Sequence, residues 1–336
     1  MLSIENLTIG YKANRANQIV VAESINLTLN QGELVCLLGP NGAGKSTLMR
    51  TISGMQAPLA GNAFIDGEDI HSMPAQERAK RLSVVLTERV GAGLLSVYAM
   101  VGLGRYPHTN WAGKLSKKDH EIIQWAIQSV GAEELAHRSV SDLSDGERQK
   151  VMMARALAQE PRMMVLDEIT AFLDLPRRVE IMRLLRKLAR ETNRAILLST
   201  HDLDLALRSG DRIWLLPKGG TVQTGAPEDL VLNGAFEKAF SNEGVDFDRQ
   251  QGAFRVHHSF RGSVNLVGEG ILRYWTQRAL EREGLETHDI DSNGSMRIEI
   301  EESGQGPVWR VSNGAETHKY NDLLSLTTHL RHTQKN

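Results

Sequence analysis

Apolar and polar residues alternate in LSIENLTIGY and VAESINLTL, within positions 1–30, with the period of two that half-buried antiparallel strands show. ELVCLLG (33–39) abandons the alternation: it is one continuous apolar run, the pattern of a strand covered on both faces. A glycine-rich turn and then a helix, STLMRTISG, follow it. GNAFIDGEDI (61–70) reads as a hairpin turning at Asp66-Gly67. From about Leu94 to Ala158 the pattern is mostly helical. In SKKDHEIIQWAIQSVG, Ile122, Ile123, Ala126, Ile127 and Val130 share one face, with Ser116 and Asp119 at the start and Gly131 at the end. LSDGERQK (143–150) opens another helix, with Ser144 at the N-cap and Glu147 three residues on as a capping box. RMMVLDE (162–168) is a buried strand ending in two carboxylates, RVEIMRLLRKLARE an amphipathic helix, and RAILLSTHD a strand with a polar end.

Strands alternating with helices predict an α/β fold around a parallel, covered sheet, with functional residues at the carboxyl ends of its strands. Beyond about His258 the pattern changes. GSVNLVG, SMRIEIEE and PVWRVSN read as strands, and GILRYWTQRALEREG and YNDLLSLTTHLRH as helices. The expected division is therefore residues 1–258 and a small α+β domain, 259–336. The sequence carries no internal repeat or low-complexity tract.

Composition adds limits. A chain of 336 residues has room for two domains, and 41% hydrophobic residues can fill a core. Lys+Arg (39) nearly balance Asp+Glu (41), which argues against a nucleic-acid partner. The single cysteine, Cys36, lies in an apolar run; it excludes a disulfide framework and fits a reducing compartment. MLSIENLTIGYK lacks the basic and apolar regions of a signal peptide. No window approaches the ~20 apolar residues of a bilayer span. Work at a membrane would need another chain to cross it.

GPNGAGKST (39–47) fits G-x-x-x-x-G-K-[ST] between a strand and a helix. Gly39, Asn41, Gly42 and Gly44 let backbone N–H groups converge on phosphate. Lys45 supplies a cation to the β- and γ-phosphates, Ser46 a hydroxyl to Mg²⁺, and Thr47 a further hydroxyl. Asp167, at the end of MMVLD, can hold Mg²⁺, and Glu168 is placed to orient and deprotonate an attacking water. Together these motifs predict a Mg²⁺-dependent nucleotide triphosphatase, though not which kind.

A phosphate loop, then LSDGERQ, then LDE: this order resembles the ATP-binding cassette (ABC) ATPases over residues 1–258. The resemblance implies a P-loop NTPase cassette with a RecA-like core sheet, an antiparallel β subdomain and a helical signature subdomain at about 90–160. It also implies that the signature serves the ATP of a second cassette in a head-to-tail homodimer. Ser144, Gly146 and Glu147 then belong to a helix start aimed at a partner's nucleotide, and Asp174, in AFLD (171–174), reaches across the dimer. Tyr11 corresponds to the aromatic residue that stacks on adenine, against the alternative of a strand tyrosine in a sheet core. His201 matches the switch histidine at the γ-phosphate. Three positions depart from the family pattern. Glu88 stands where a metal-reaching glutamine is usual, Asp145 where the signature has its first glycine, and Ile169 where proline is usual. Asp145 either faces away as a helix-start charge or is a carboxylate that the site must tolerate.

LLSVYAMVGLGRYPHTNW (94–111), through Gly102, Gly104, Arg105, Pro107 and His108, resembles the ATPase subunits of importers for iron-siderophores, haem and vitamin B12. In those proteins this region meets membrane subunits, and a Gly/Pro-broken loop carrying arginine and aromatic residues is what interfaces prefer. The resemblance implies polytopic permease partners, indirectly a substrate-binding protein, and a peripheral place on the cytoplasmic face of the bacterial inner membrane. Two alternatives are a soluble non-transport ABC ATPase and a weakly hydrolysing regulatory module. In the tail, His329 and His332 are a helical turn apart. Without a nearby Cys or carboxylate they read as solvated helix histidines rather than metal ligands. The tail itself is expected to be regulatory or dimer-supporting.

Overall fold

The computed structural model describes residues 1–12, 18–86, 95–171, 173–240, 245–249, 252–256, 260–289, 296–304, 306–314 and 316–333. The chain divides into two compact units, Met1–Arg255 and Val256–Asn336.

In the first unit the alternating N-terminal segments form β1 (Leu2–Lys12) and β2 (Gln18–Leu29), paired antiparallel from Leu2↔Leu29 to Lys12↔Gln18. β4 (Ala60–Ile65) pairs with the other edge of β1, and β5 (Glu68–Asp69) folds back on β4. Asp66 (φ 52°) and Gly67 (φ 83°) make that turn, both in the left-handed region that a tight two-residue hairpin needs.

The apolar runs form the other sheet, β3 (Leu34–Leu38), β6 (Leu82–Val85), β7 (Met163–Asp167), β8 (Ala195–Ser199) and β9 (Arg212–Leu215), with the short polar β10 (Gln223–Gly225) on its edge. Their order is β10-β9-β3-β8-β7-β6, parallel throughout except for β10. Both faces are buried, which explains why the runs do not alternate. In β3, Leu34, Cys36 and Leu38 enter one apolar cluster, while Val35 and Leu37 enter another. β7 and β8 split in the same way, Met164 and Leu166 with Ile196 and Leu198 on one side, Met163 and Val165 with Ala195 and Leu197 on the other. Burial pushes the Cys36 thiol up to about 12, with the Asp211 carboxylate adding to it, so it is a core residue without nucleophilic use.

α1 (Lys45–Ile52) follows β3, and α2 (Ala75–Arg81) precedes β6. α3 (Val97–Gly102), α4 (Lys117–Ser129) and α5 (Asp145–Ala158) pack together as a helical layer. Gly102–His108 corrects one expectation. Leu103–His108 is a 3-10 helix rather than an open loop, and Arg105 points inward, only 3% exposed. Its guanidinium meets Asp119 at 2.8 Å and Glu160 at 2.8 Å and donates to the Ala158 carbonyl at 2.6 Å. A Cβ on Gly104 would stand 2.2 Å from the Arg155 carbonyl oxygen, so glycine is required for that close approach. These residues fasten the helical layer; the large apolar side chains left exposed between Leu103 and Trp111 are Leu103, Tyr106 and Trp111.

α6 (Leu175–Thr192) leads into β8, and the short helices α7 (Leu203–Ser209), α8 (Pro227–Leu232) and α9 (Ala235–Phe240) follow β8 and β10. The hairpin β11 (Val245–Asp248) and β12 (Ala253–Val256) brings Phe247 and Phe254 against Phe236 and Phe240, with ring centroids 4.6 to 5.3 Å apart.

The second unit is a sheet of β13 (Gly262–Val267), β14 (Leu285–His288), β15 (Met296–Ser303), β16 (Gly306–Asn313) and β17 (Glu316–Tyr320), with α10 (Gly270–Arg282) and α11 (Leu323–Thr333). Its order is β14-β13-β15-β16-β17; β13 runs parallel to β14 and β15, and the remaining pairs are antiparallel. Leu266, Ile298, Trp309, Leu326 and Leu330 are among its buried residues, and the Trp309 indole N–H donates to Thr276 Oγ1 at 2.7 Å. His329 lies against His318 and Tyr320, and among the described residues no group of three metal-ligating side chains forms.

Candidate nucleotide site

The phosphate loop leaves the carboxyl end of β3. Gly39 (φ 155°) and Gly44 (φ 103°) both lie in backbone regions that favour glycine, and space excludes larger residues as well. A Cβ would stand 2.1 Å from the Leu216 carbonyl oxygen at Gly39, and 2.2 Å from Val21 Cγ1 at Gly44. Lys45 is buried at the start of α1, and its ammonium donates to the carbonyls of Gly39 (2.8 Å) and Pro40 (3.2 Å). Burial pulls the Lys45 ammonium below its ordinary range, while the Glu168 and Asp167 carboxylates resist.

Tyr11, Val21, Asn41, Gly42, Gly44, Lys45, Ser46, Thr47, Glu168 and His201 line one open cleft of about 290 Å³. Tyr11 is exposed rather than buried in the sheet core, and its hydroxyl is 2.7 Å from Thr47 Oγ1. Val21 was not legible as a site residue: it enters only through β2, whose registers Gly10↔Val20 and Tyr11↔Ile19 carry it over Gly44.

β8 borders β3 and β7 borders β8, all parallel, so their carboxyl ends open on the same side. Asp167 ends β7. Burial raises its carboxyl above the ordinary range, opposed by a hydrogen bond from Ser199 and by the cations of Arg50 and Lys45. Glu168 has φ 48°, a conformation that costs a non-glycine residue about 1 kcal/mol. Its N–H donates to the Ser199 carbonyl at 3.1 Å, and its carbonyl accepts from Ala171 N–H at 2.9 Å. This turn swings the carboxylate out of the strand and into the cleft, where Oε1 lies 2.6 Å from His201 Nε2. Ile169 and Thr170 beyond it are buried.

Ser144, Gly146, Glu147 and Asp174 are not among the cleft's lining residues. They sit together at the starts of α5 and α6. Ser144 Oγ accepts from Glu147 N–H, and the Glu147 carboxylate accepts from the Ser144 N–H (2.8 Å) and hydroxyl (2.7 Å). Those Ser144 hydrogen bonds, with Arg138 nearby, hold the Glu147 carboxyl below its ordinary range. Asp174 caps α6, its carboxylate accepting from Arg177 N–H at 3.0 Å, and the Arg177 side chain packs over Gly146. One chain thus presents a phosphate-loop cleft and, apart from it, a second helix start, capped by Ser144 and carrying Asp145 and Glu147 in its first turn. Glu88 lies outside the described residues.

The family described as ABC transporter matches residues 22–171, and the family described as iron ABC transporter C-terminal domain matches residues 261–331. An ABC transporter ATP-binding protein of Methanocaldococcus jannaschii is 40% identical over 281 residues, covering 82% of this chain and 95% of the relative. The iron(3+)-hydroxamate import ATP-binding protein of Bacillus subtilis is 36% identical over 239 residues, 71% of this chain and 87% of the relative. Among solved structures, a dimeric ATP-binding cassette in a post-hydrolysis state with ADP and Pi superimposes with a TM-score of 0.57 at 29% identity, covering 68% of this chain and 99% of that one.

Proposed function

We propose, from the premise that this chain belongs to the family of ABC transporter ATP-binding subunits and hydrolyses ATP as its members do, that it powers uptake of an iron complex, a siderophore or haem, or of cobalamin. The observation that carries this reading is the pairing of the cleft at the ends of β3, β7 and β8 with a C-terminal unit of the iron-transporter type. Cassettes of this family dimerise and work with membrane permeases as peripheral subunits. Among the described residues no helix is long and apolar enough to cross a membrane.

Within the cleft we assign Tyr11 to adenine and Gly39, Asn41, Gly42, Gly44, Lys45, Ser46 and Thr47 to the phosphates. Ser46 and Asp167 would hold Mg²⁺, with Glu88 a third candidate, and the cation would offset phosphate charge. The fit is chemical: Ser46 lines the cleft, and burial, with the Glu168 carboxylate beside it, raises the Asp167 carboxyl, so that a divalent cation there would favour its charged form. Glu168 orients the attacking water and takes its proton as the water oxygen bonds phosphorus and the bond to ADP breaks. His201, in contact with Glu168, steadies that carboxylate and meets the γ-phosphate. Ser144, Gly146, Glu147 and Asp174 serve the partner's ATP across a head-to-tail dimer, so closing on two nucleotides moves the attached permeases. Leu103, Tyr106 and Trp111 offer the exposed apolar surface to those permeases.

The test couples two measurements. Co-purification with a polytopic membrane protein, and loss of iron-chelate uptake when this chain is depleted, are expected. Unimpaired uptake of both iron chelates and cobalamin without the chain overturns the cargo reading, and normal ATP turnover by Glu168→Gln overturns the role of Glu168.

A further inference from the structure

The first turn of α5 carries two carboxylates, Asp145 and Glu147, at the helix end assigned above to a partner's triphosphate. Unopposed, they would repel that ligand and cancel the positive end of the helix. The structure supplies each with its own arginine. Arg138 reaches Glu147 at 3.2 Å, and Arg148 reaches Asp145 at 3.5 Å. Arg148 also donates to the Leu143 carbonyl at 3.2 Å, which ties its guanidinium to the chain just ahead of the helix. Arg177, the other cation beside Gly146, is engaged elsewhere: it pairs with Glu180 at 2.9 Å, and Glu180 takes Lys150 at 2.6 Å. With both pairs formed, the side chains of this turn carry no net charge, and the backbone amides and Ser144 set the field.

We propose that Arg148 is a positioning residue of the shared-ATP site, whose guanidinium neutralises Asp145 and lets a signature built on aspartate accept a triphosphate. A half-exposed pair of this kind adds little to folding. It matters when dimer closure removes the water that screens Asp145 from the phosphates. The inference rests on the head-to-tail reading of the signature.

The test is a double-mutant cycle in the full-length Glu168→Gln chain, reading by sedimentation velocity the ATP concentration that half-forms the dimer. Arg148→Ala is expected to raise that concentration ~10-fold while Asp145 is present, and less than ~2-fold in an Asp145→Gly chain. Arg148→Gln, which keeps a donor for the Leu143 carbonyl but loses the charge, is expected to follow Arg148→Ala and stands in for it if the alanine chain melts early. Equal losses with and without Asp145, or no loss in either, overturn the proposal. If the Glu168→Gln chain forms no dimer with ATP at all, the head-to-tail reading falls, and this inference with it.

Discussion

Glu168 occupies a left-handed backbone conformation held by Ser199 and Ala171, and that turn aims its carboxylate at His201 and the cleft. A general base contributes ~100-fold to 10,000-fold in rate. Glu168→Gln keeps the size and the turn but cannot take a proton. ATP turnover, followed by phosphate release, is expected to fall at least ~100-fold, with ATP affinity kept within a few-fold. A second residue-scale expectation concerns Tyr11. Its ring is exposed at the cleft mouth while its hydroxyl is anchored to Thr47. Tyr11→Phe retains the stacking face and is expected to change ATP affinity by less than ~3-fold, whereas Tyr11→Ala is expected to weaken it ~10-fold, measured by fluorescent-nucleotide titration. The chemistry was legible in the sequence at this scale because it resides in local motifs, GPNGAGKST and LDE. Val21 was not, because only the register of β1 on β2 carries it over Gly44.

At the scale of elements, the helical layer depends on Arg105. The sequence displayed this arginine beside aromatic residues, as an interface would, and nothing local revealed that Asp119 and Glu160 close around it. That is a contact across 14 and 55 positions. The capping box at Ser116 and Asp119 was readable, but its carboxylate also serves Arg105, which capping logic alone does not predict. Removing one partner of a buried pair leaves an uncompensated charge, so Arg105→Ala is expected to lower stability by about 3–5 kcal/mol in urea unfolding. The pH dependence has a definite sign. Burial alone would raise the Asp119 carboxyl, but hydrogen bonds from Ser116 and Arg105 overcome it and bring it from 3.8 to about 2. A carboxyl depressed by folding stabilises fully above its unfolded value and loses that contribution as pH falls through its folded value. Asp119 therefore supports the fold above pH 3.8 and stops doing so near pH 2. Arg105→Ala should shrink this acid-sensitive component of stability, measured as the change in unfolding free energy across that interval.

Every residue assigned to ATP lies in Met1–Arg255, while Val256–Asn336 has its own buried residues, from Val264 to Leu330. On the first unit, Tyr106 (77% exposed) and Trp111 (99%) are aromatic rings left in water, next to structural residues that the same segment buries. Rings in that position add nothing to the core, so the pair Tyr106→Ala and Trp111→Ala is expected to leave the thermal midpoint within about 2 °C. It should nevertheless sharply reduce recovery of the chain with a permease, because exposed aromatic side chains anchor interfaces. The tail calls for a different experiment. Its strands GSVNLVG, SMRIEIEE and PVWRVSN could be read from their apolar pattern, but β14 and β17 could not. LETH is too short, and ETHKY is an edge strand with exposed side chains and no buried face to pattern it. A unit with a separate core should unfold separately, so calorimetry of the full chain is expected to show two transitions, and a chain ending at Arg255 to lack one of them. That truncated chain still contains the cleft and the α5 half-site. It should bind ATP and turn it over at a rate of the same order, which would assign the tail to assembly or control. Loss of turnover with an intact first transition would instead place residues 256–336 in the working ATP site.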